Sequence, residues 1–132
     1  MAVSAVTVYE LAIKTIFAEF ATKKHKVLKN FTDEYFDRIN GHIKTKTIKD
    51  DYIKKYGDKY VKQFEKHLAS KETEILQAQG VSMLTAYGNI ILWRNQFAHA
   101  GIIPSTPTYE EAKKAYYLGK NIIDCLALAM RR

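Results

Sequence analysis

Apolar residues in this chain recur every three or four positions, which is the pitch of an α-helix. Val6, Tyr9, Ile13, Ile16 or Phe17, and Phe20 form one such stripe and predict a first helix from about Ser4 to Thr22. A second is expected to begin near Thr32, an N-cap residue type followed by Asp33 and Glu34, with Phe31 and Phe36 at staple spacing. Gly41 marks its end. A third begins near Thr47, with Asp50 in the capping-box position. Gly57-Asp58 breaks or kinks it, and Tyr60, Val61, Phe64 and Leu68 continue the stripe. The polar stretch from Ser70 to Gly80 reads as loop or short helix. From Val81 to Ala98, Met83, Ala86, Ile90, Trp93 and Phe97 share one face of a fourth main helix, with Gly101 as its stop. Pro104 and Pro107 force a non-helical joint. Thr108 and Glu111 then make a capping box for a last helix through Ala115, Leu118, Ile122, Leu126 and Met130. Its end, Ile122 to Met130, is apolar nearly all round and asks for burial or a subunit contact. The expected fold is all-α, a bundle of four to five helices. With no repeat and no linker composition, residues 1–132 read as a single domain.

Several function classes drop out at this point. A hydrophobic fraction of 47% beside 27% charged residues fits a globular chain rather than a disordered one. Cys125 stands alone, so no disulfide forms within the chain, and a buried thiol in a reducing, cytoplasmic setting is the expectation. Glu10, Lys14 and Glu19 interrupt any apolar leader, and no run approaches the roughly 20 apolar residues of a membrane helix. No membrane partner is therefore expected. There is no glycine-rich phosphate loop, no paired Cys or Cys-His zinc spacing and no His-Glu-x-x-His. Asp50-Asp51 and Glu72-x-Glu74 read as helix-start or surface acids, so no metal and no cofactor are expected.

The charge is more informative. The chain carries a formal +7, and residues 23–62 hold twelve Lys or Arg against six Asp or Glu. Such a surface attracts phosphate backbones without reading sequence. Lys23, Lys24, Lys26, Lys44 and Lys46 are the candidate RNA contacts in this stretch; a solvated lysine-rich face with no partner is the alternative. Lysine outnumbers arginine seventeen to four, so the position of each arginine carries information.

Of the four histidines, His25 lies among Lys23, Lys24 and Lys26 in a joint, and His67 follows Lys66 on an amphipathic helix. His42 follows Arg38 by four positions with Gly41 between them, a pair without supporting context to which no role is assigned. His99 differs. It closes the fourth helix, four residues after Asn95 and five after Arg94. Asn95 and His99 share a face with Leu92 and Gly88, and Gly88 lets a substrate or another backbone come close. Arg94 points roughly 140° from His99 on an ideal helix, so a frayed last turn, the length of the side chain or a second subunit must bring them together.

These residue types suit RNA cleavage. An imidazole that titrates near neutrality takes the proton of a ribose 2′-hydroxyl or protonates the leaving 5′-oxygen. A guanidinium neutralises charge building on the phosphate with a forked geometry that lysine lacks. Asn95 orients the imidazole or bonds the phosphate. Against this stands a plain alternative: a histidine in a last turn is favoured by the helix dipole, and an arginine beside Trp93 can simply pack.

Arg94-Asn95-x-x-x-His99 resembles the Arg-x4–6-His motif of the HEPN superfamily. The run Tyr87-Gly88-Asn89-Ile90-Ile91-Leu92-Trp93-Arg94-Asn95-Gln96-Phe97-Ala98-His99-Ala100-Gly101 resembles its RiboL-PSP-HEPN-like branch. Tyr35 to Asn40, Tyr56 to Tyr60 and Thr108 to Glu111 extend the likeness over most of the chain. The resemblance implies a four- to five-helix bundle that forms a homodimer, with an Arg and a His from each subunit in one cleft. It implies a metal-independent endoribonuclease that leaves a 2′,3′-cyclic phosphate, in a toxin–antitoxin or anti-phage defence setting with an antitoxin or defence-system partner. Non-catalytic RNA-binding or dimerisation modules, or a helical subunit of a larger complex, are its other outcomes. Arg94 and His99 then carry over as catalytic and Asn95 as a supporting polar residue. A tyrosine found two places after the histidine in some toxins is Gly101 here, so a nucleotidyl-modification switch at that position is not implied.

The charge map makes a first prediction. If about four to six phosphates are neutralised, RNA affinity falls with salt on a log–log slope of order −3 to −4 for a single strand. Fluorescence anisotropy with labelled RNA between low and moderate salt measures it; a flat response would leave the lysines merely solvated.

Overall fold

The computed structural model describes residues 2–39, 41–100 and 108–131, and excludes the side chains of residues 2, 3 and 97–100. Among the described residues six α-helices run α1 (Ala2–Thr22), α2 (Lys26–Phe36), α3 (Thr45–Thr47), α4 (Asp58–Gln79), α5 (Met83–Ala100) and α6 (Tyr109–Ala129). Among the described residues there is no strand. The all-α expectation holds, with six helices rather than four to five because the third element divides. It begins as the single α turn of α3, widens to a π turn over Ile48–Tyr52 and tightens to a 3-10 turn over Ile53–Tyr56. Gly57, at φ 128°, separates it from α4.

Helix α1 packs against α2, α5 and α6, while α6 also lies against α4 and α5. The predicted α1 stripe is the one buried: Val6, Tyr9, Ile13, Phe17 and Phe20 lie in the core, with Ile16 at its margin. Met83, Ala86 and Ile90 of α5 enter the same core, and Trp93 packs against it. Phe97 lies outside the described side chains. The Thr108–Glu111 box forms as expected, with the Glu111 N–H donating to the Thr108 hydroxyl at 3.1 Å.

Three boundaries differ from the sequence expectation, each for a local reason. Helix α2 starts at Lys26, because the His25 side chain caps it by accepting from the Val27 N–H at 3.1 Å. Thr32 is then no cap: it is buried mid-helix and pairs with the Tyr56 hydroxyl at 2.7 Å. Phe36 enters the core while Phe31 stays 59% exposed, so no staple forms. The polar 70–80 stretch continues α4 to Gln79 and closes on left-handed Gly80. Helix is kept there because Glu72 reaches across to α5, accepting from the Ser82 hydroxyl at 2.6 Å and the Met83 N–H at 2.8 Å. That carboxylate satisfies a donor which a helix start otherwise leaves open. Thr47 and Asp50 lie in the α3 and π turns, where the cap position, Lys44, makes no side-chain bond. The apolar end of α6 needs no subunit contact: Ile122, Ile123, Cys125, Leu126, Ala129 and Met130 are buried within the chain. Burial pushes the Cys125 thiol up to about 11, with Asp124 adding to the effect and Lys71 opposing it. Cys125 is thus an inert core residue.

A tyrosine stack joins the helices. Tyr9 lies between Tyr87 and Tyr116, with ring centroids 5.1 and 5.4 Å away, and donates to the Tyr116 carbonyl at 2.6 Å. Gly119 lets α6 approach, since a Cβ there would stand 2.6 Å from the Tyr9 oxygen. Burial, then the neighbouring phenols, raises the Tyr9 and Tyr87 hydroxyls far above their ordinary range. Tyr52 is pushed up to about 12, first by burial and then by Tyr35, Asp51 and Glu10.

A phenol with a raised folded pKa contributes stability that is whole below the unfolded value, about 10. That stability is lost as pH climbs through the folded value. Urea midpoints followed by circular dichroism are therefore expected to hold to about pH 10 and to fall between there and about 12, where Tyr52 titrates. A midpoint unchanged across that window would contradict the buried, neutral phenols.

Candidate RNA-processing site

The segment crossing from α2 to α3 is held at three consecutive residues from three directions. The Gly41 N–H donates to the Glu10 carboxylate of α1. The His42 carbonyl accepts from the Tyr52 hydroxyl of the π turn at 2.5 Å. The Ile43 carbonyl accepts from the buried Tyr87 hydroxyl of α5 at 2.6 Å. Burial raises both phenols above their ordinary range, so they stay protonated donors well into the alkaline range.

Arg94 lies against this crossing. A Cβ on Gly41 would stand 1.6 Å from Nη2 and 2.8 Å from Cζ of Arg94, so the guanidinium fills the space a side chain would take. Gly41 sits at φ 81°, a region glycine enters without steric cost. Its lack of a side chain is needed twice, for the backbone and for the arginine. Among the described residues no carboxylate lies within ion-pair distance of Arg94. Glu10, whose carboxylate accepts from the Gly41 N–H, pairs with Lys14 instead.

Asn95 lies on the other side of the same crossing. It lines a groove of about 400 Å³ with Lys44, Lys46, Gly88 and Leu92. Nothing lies within 4 Å of where a Gly88 Cβ would be, so α5 presents an open notch there. Next along, the Gln96 Oε1 is buried without a hydrogen-bond partner. A buried acceptor left unpaired costs about 1–3 kcal/mol. This end of α5 is built as if something were still to bind it. The backbone of His99 belongs to α5; its side chain lies outside the described residues.

The five candidate lysines divide. Lys44 and Lys46 join Asn95. Lys23 and Lys24 line a separate groove of about 420 Å³ with Glu19 and Arg131 at the far end of α1. Twelve residues of helix from Glu10 to Thr22 span about 18 Å, so these two lysines do not share the Arg94 site. Lys26 is exposed at the start of α2.

A family model described as RiboL-PSP-HEPN matches residues 1–131. The chain belongs to the RiboL-PSP-HEPN family. It is thus a HEPN-type domain, and membership points to an RNA-related role. No curated protein and no solved structure matches it. No helix among the described residues is long and apolar enough to cross a membrane.

Gly41, Glu10, Tyr52 and Tyr87 as supports of the Arg94 site were not visible in the sequence. Gly41 read as a helix stop, and no spacing rule links it to an arginine in another helix. Its role is testable without any activity. Gly41→Ala carries left-handed strain of about 1–2 kcal/mol plus displacement of the guanidinium. In an Arg94→Ala background only the strain remains, so a double-mutant cycle in urea is expected to give a coupling of about 0.5 kcal/mol or more. Additive costs would mean that the arginine does not rest on Gly41.

Proposed function

We propose that this protein is a metal-independent endoribonuclease of HEPN type, acting as a homodimer, in which Arg94, Asn95 and His99 carry the chemistry. One observation carries the reading. Arg94 lies over Gly41 with no carboxylate within ion-pair distance among the described residues, while the adjacent Asn95 opens into a groove lined by Lys44 and Lys46. A strand of RNA laid in that groove meets two lysines on its backbone and an amide beside the scissile phosphate. Arg94, next to Asn95 in sequence but outside the groove's lining, reaches to its rim with the guanidinium for the developing charge. His99 acts as the general acid or base on the 2′-hydroxyl and the leaving 5′-oxygen. The ribose supplies the nucleophile, so the products are a 2′,3′-cyclic phosphate and a free 5′-hydroxyl.

A second copy completes the site. Leu84 and Leu92, 37% and 50% exposed on α5 with open Gly88 between them, line the same groove as Asn95, so a partner's α5 set beside it makes the strand's path the seam between two chains. Two α5 helices facing each other bring an Arg94 and a His99 from each chain to one cleft. That arrangement answers the angular mismatch between Arg94 and His99 on a single helix. A toxin or anti-phage role, with an antitoxin or other defence protein as partner, fits an RNA-cutting domain of this size. The idle-module reading is the outcome if RNA binds and is never cut.

Arg94→Ala and His99→Ala are each expected to lower cleavage by roughly 10² or more, the scale of losing electrostatic or acid–base help. Arg94→Lys should also be poor, because the fork is lost. Exposed Lys120 on α6 gives the control, and Lys120→Ala should cut like the parent. Excess chelator should leave the rate unchanged, and a 2′-deoxyribose at the scissile position should block it. Cutting of the deoxy substrate, or loss of activity with chelator, would overturn the mechanism. Light scattering should give twice the 15.2 kDa chain mass; a monomer would remove the composite cleft.

A further inference from the structure

Arg38 and His42 have a context that their spacing does not reveal. Both line a cavity of about 570 Å³ between α2 and the π turn, together with Phe31, Tyr35, Asp51 and Tyr52. The cavity borders the crossing at His42, the residue after the Gly41 on which Arg94 rests. Its lining is of three kinds. Phe31 is 59% exposed and offers a flat apolar face, while half-buried Tyr35 carries the Lys55 ammonium over its ring at 5.0 Å, so a base stacking there shares the ring with that cation. Asp51 and Tyr52 come from the π turn, a widened geometry that recurs where a helix presents side chains to a site. Arg38 is held only by Glu34, at 3.4 Å, with both side chains more than three-quarters exposed, so its guanidinium is free to turn to another anion.

Rings, the Asp51 carboxylate and Arg38 together match an unpaired nucleobase carrying a phosphate. Glu34, the exposed partner of Arg38, also lines the cavity, and the phosphate replaces it on the guanidinium. Bases in single-stranded RNA are held by stacking on aromatic or guanidinium planes and by bonds to their Watson–Crick edges. Guanine is the base that sets two N–H donors side by side on that edge, at N1 and N2, matching the two oxygens of one carboxylate. Adenine, cytosine and uracil offer no such pair.

We propose that this cavity is a guanine pocket: Tyr35 and Phe31 stack the base, Asp51 accepts from its N1–H and N2–H, and Arg38 and His42 hold its phosphate. It deepens the ribonuclease reading above, because the pocket and the Arg94 site share one short segment: His42 lines the pocket and the adjacent Gly41 seats the Arg94 guanidinium. The Tyr52 hydroxyl that tethers the His42 carbonyl links the pocket to that site. Free guanine nucleotide and guanine within RNA share this chemistry, and the test separates them.

The full chain, labelled with 15N, is titrated with GMP, AMP, CMP and UMP. GMP is expected to shift amides in the 31–52 region and to bind at least about 5-fold more tightly than the other three, the low end for a bidentate base contact. Asp51→Asn should abolish that preference while retaining the fold, and Arg38→Ala should weaken GMP but not guanosine. In the RNA arm, cleavage sites should fall beside a guanine in the parent and lose that bias in Asp51→Asn. Equal binding of all four nucleotides, or no shift in that region, overturns the pocket whether or not RNA is cut. Selective GMP binding without any RNA cleavage supports the pocket and overturns the ribonuclease reading instead. GMP binding with cleavage sites indifferent to guanine overturns the RNA-linked role and leaves a site for the free nucleotide.

Discussion

Everything that distinguishes this bundle from a generic helical packing converges on the three residues Gly41, His42 and Ile43. Their backbone groups are bonded to Glu10, Tyr52 and Tyr87, side chains of α1, the π turn and α5. Loop backbone that crosses a core must find partners for its polar groups, and here the bundle supplies them with one carboxylate and two phenols. The phenols can do this only while neutral and only in place, which burial and the Tyr9–Tyr87 stack arrange. The crossing is thereby a fixed wall rather than a loose connection. Arg94 leans on one part of it, the Asn95 groove opens beside another, and the Arg38–His42 cavity borders it at His42. A site needs its reactive groups held by rigid neighbours, and this wall is the element able to do that.

The distribution of charge follows the same plan. The basic excess of residues 23–62 is not one patch. Lys44 and Lys46 flank the groove, whereas Lys23 and Lys24 sit with Arg131 at the other end of α1. The described ion pairs are mostly single i,i+4 or i,i+3 contacts between partly exposed side chains, such as Lys29–Asp33 and Lys71–Glu74. Pairs of that kind add little to stability. Cohesion comes instead from the aromatic and aliphatic core.

Periodicity made the helices and most core faces legible. Val6, Tyr9, Ile13, Phe17 and Phe20, or Met83, Ala86 and Ile90, are buried because nothing but a 3.6-residue pitch puts them on one side. The misreadings arose where a long-range contact outvoted local propensity. Thr32 resembles a cap, but its hydroxyl is taken by Tyr56, far along the chain, and the cap passes to His25. The 70–80 stretch looks like loop until Glu72 is seen fastening α5. The candidate site was legible in its chemistry, since Arg94 and Asn95 stand out as residue types in a helix otherwise given to packing. It was illegible in its support, because Gly41 and the residues that tether it come from separate helices. The Arg38–His42 pair shows the same limit: spacing gave it no meaning, and the folded chain places it in a cavity.

The central claim is that RNA is cut over the Gly41–Arg94 contact. A crystal structure with a short RNA carrying a 2′-O-methyl group at the scissile ribose tests it most directly, since such a strand binds but has no nucleophile. The account predicts a phosphate on the Arg94 guanidinium and the Asn95 amide, with the strand running past Lys44 and Lys46 and the crossing unmoved. A strand that avoids Arg94, lying along Lys23, Lys24 and Arg131 alone, would contradict it.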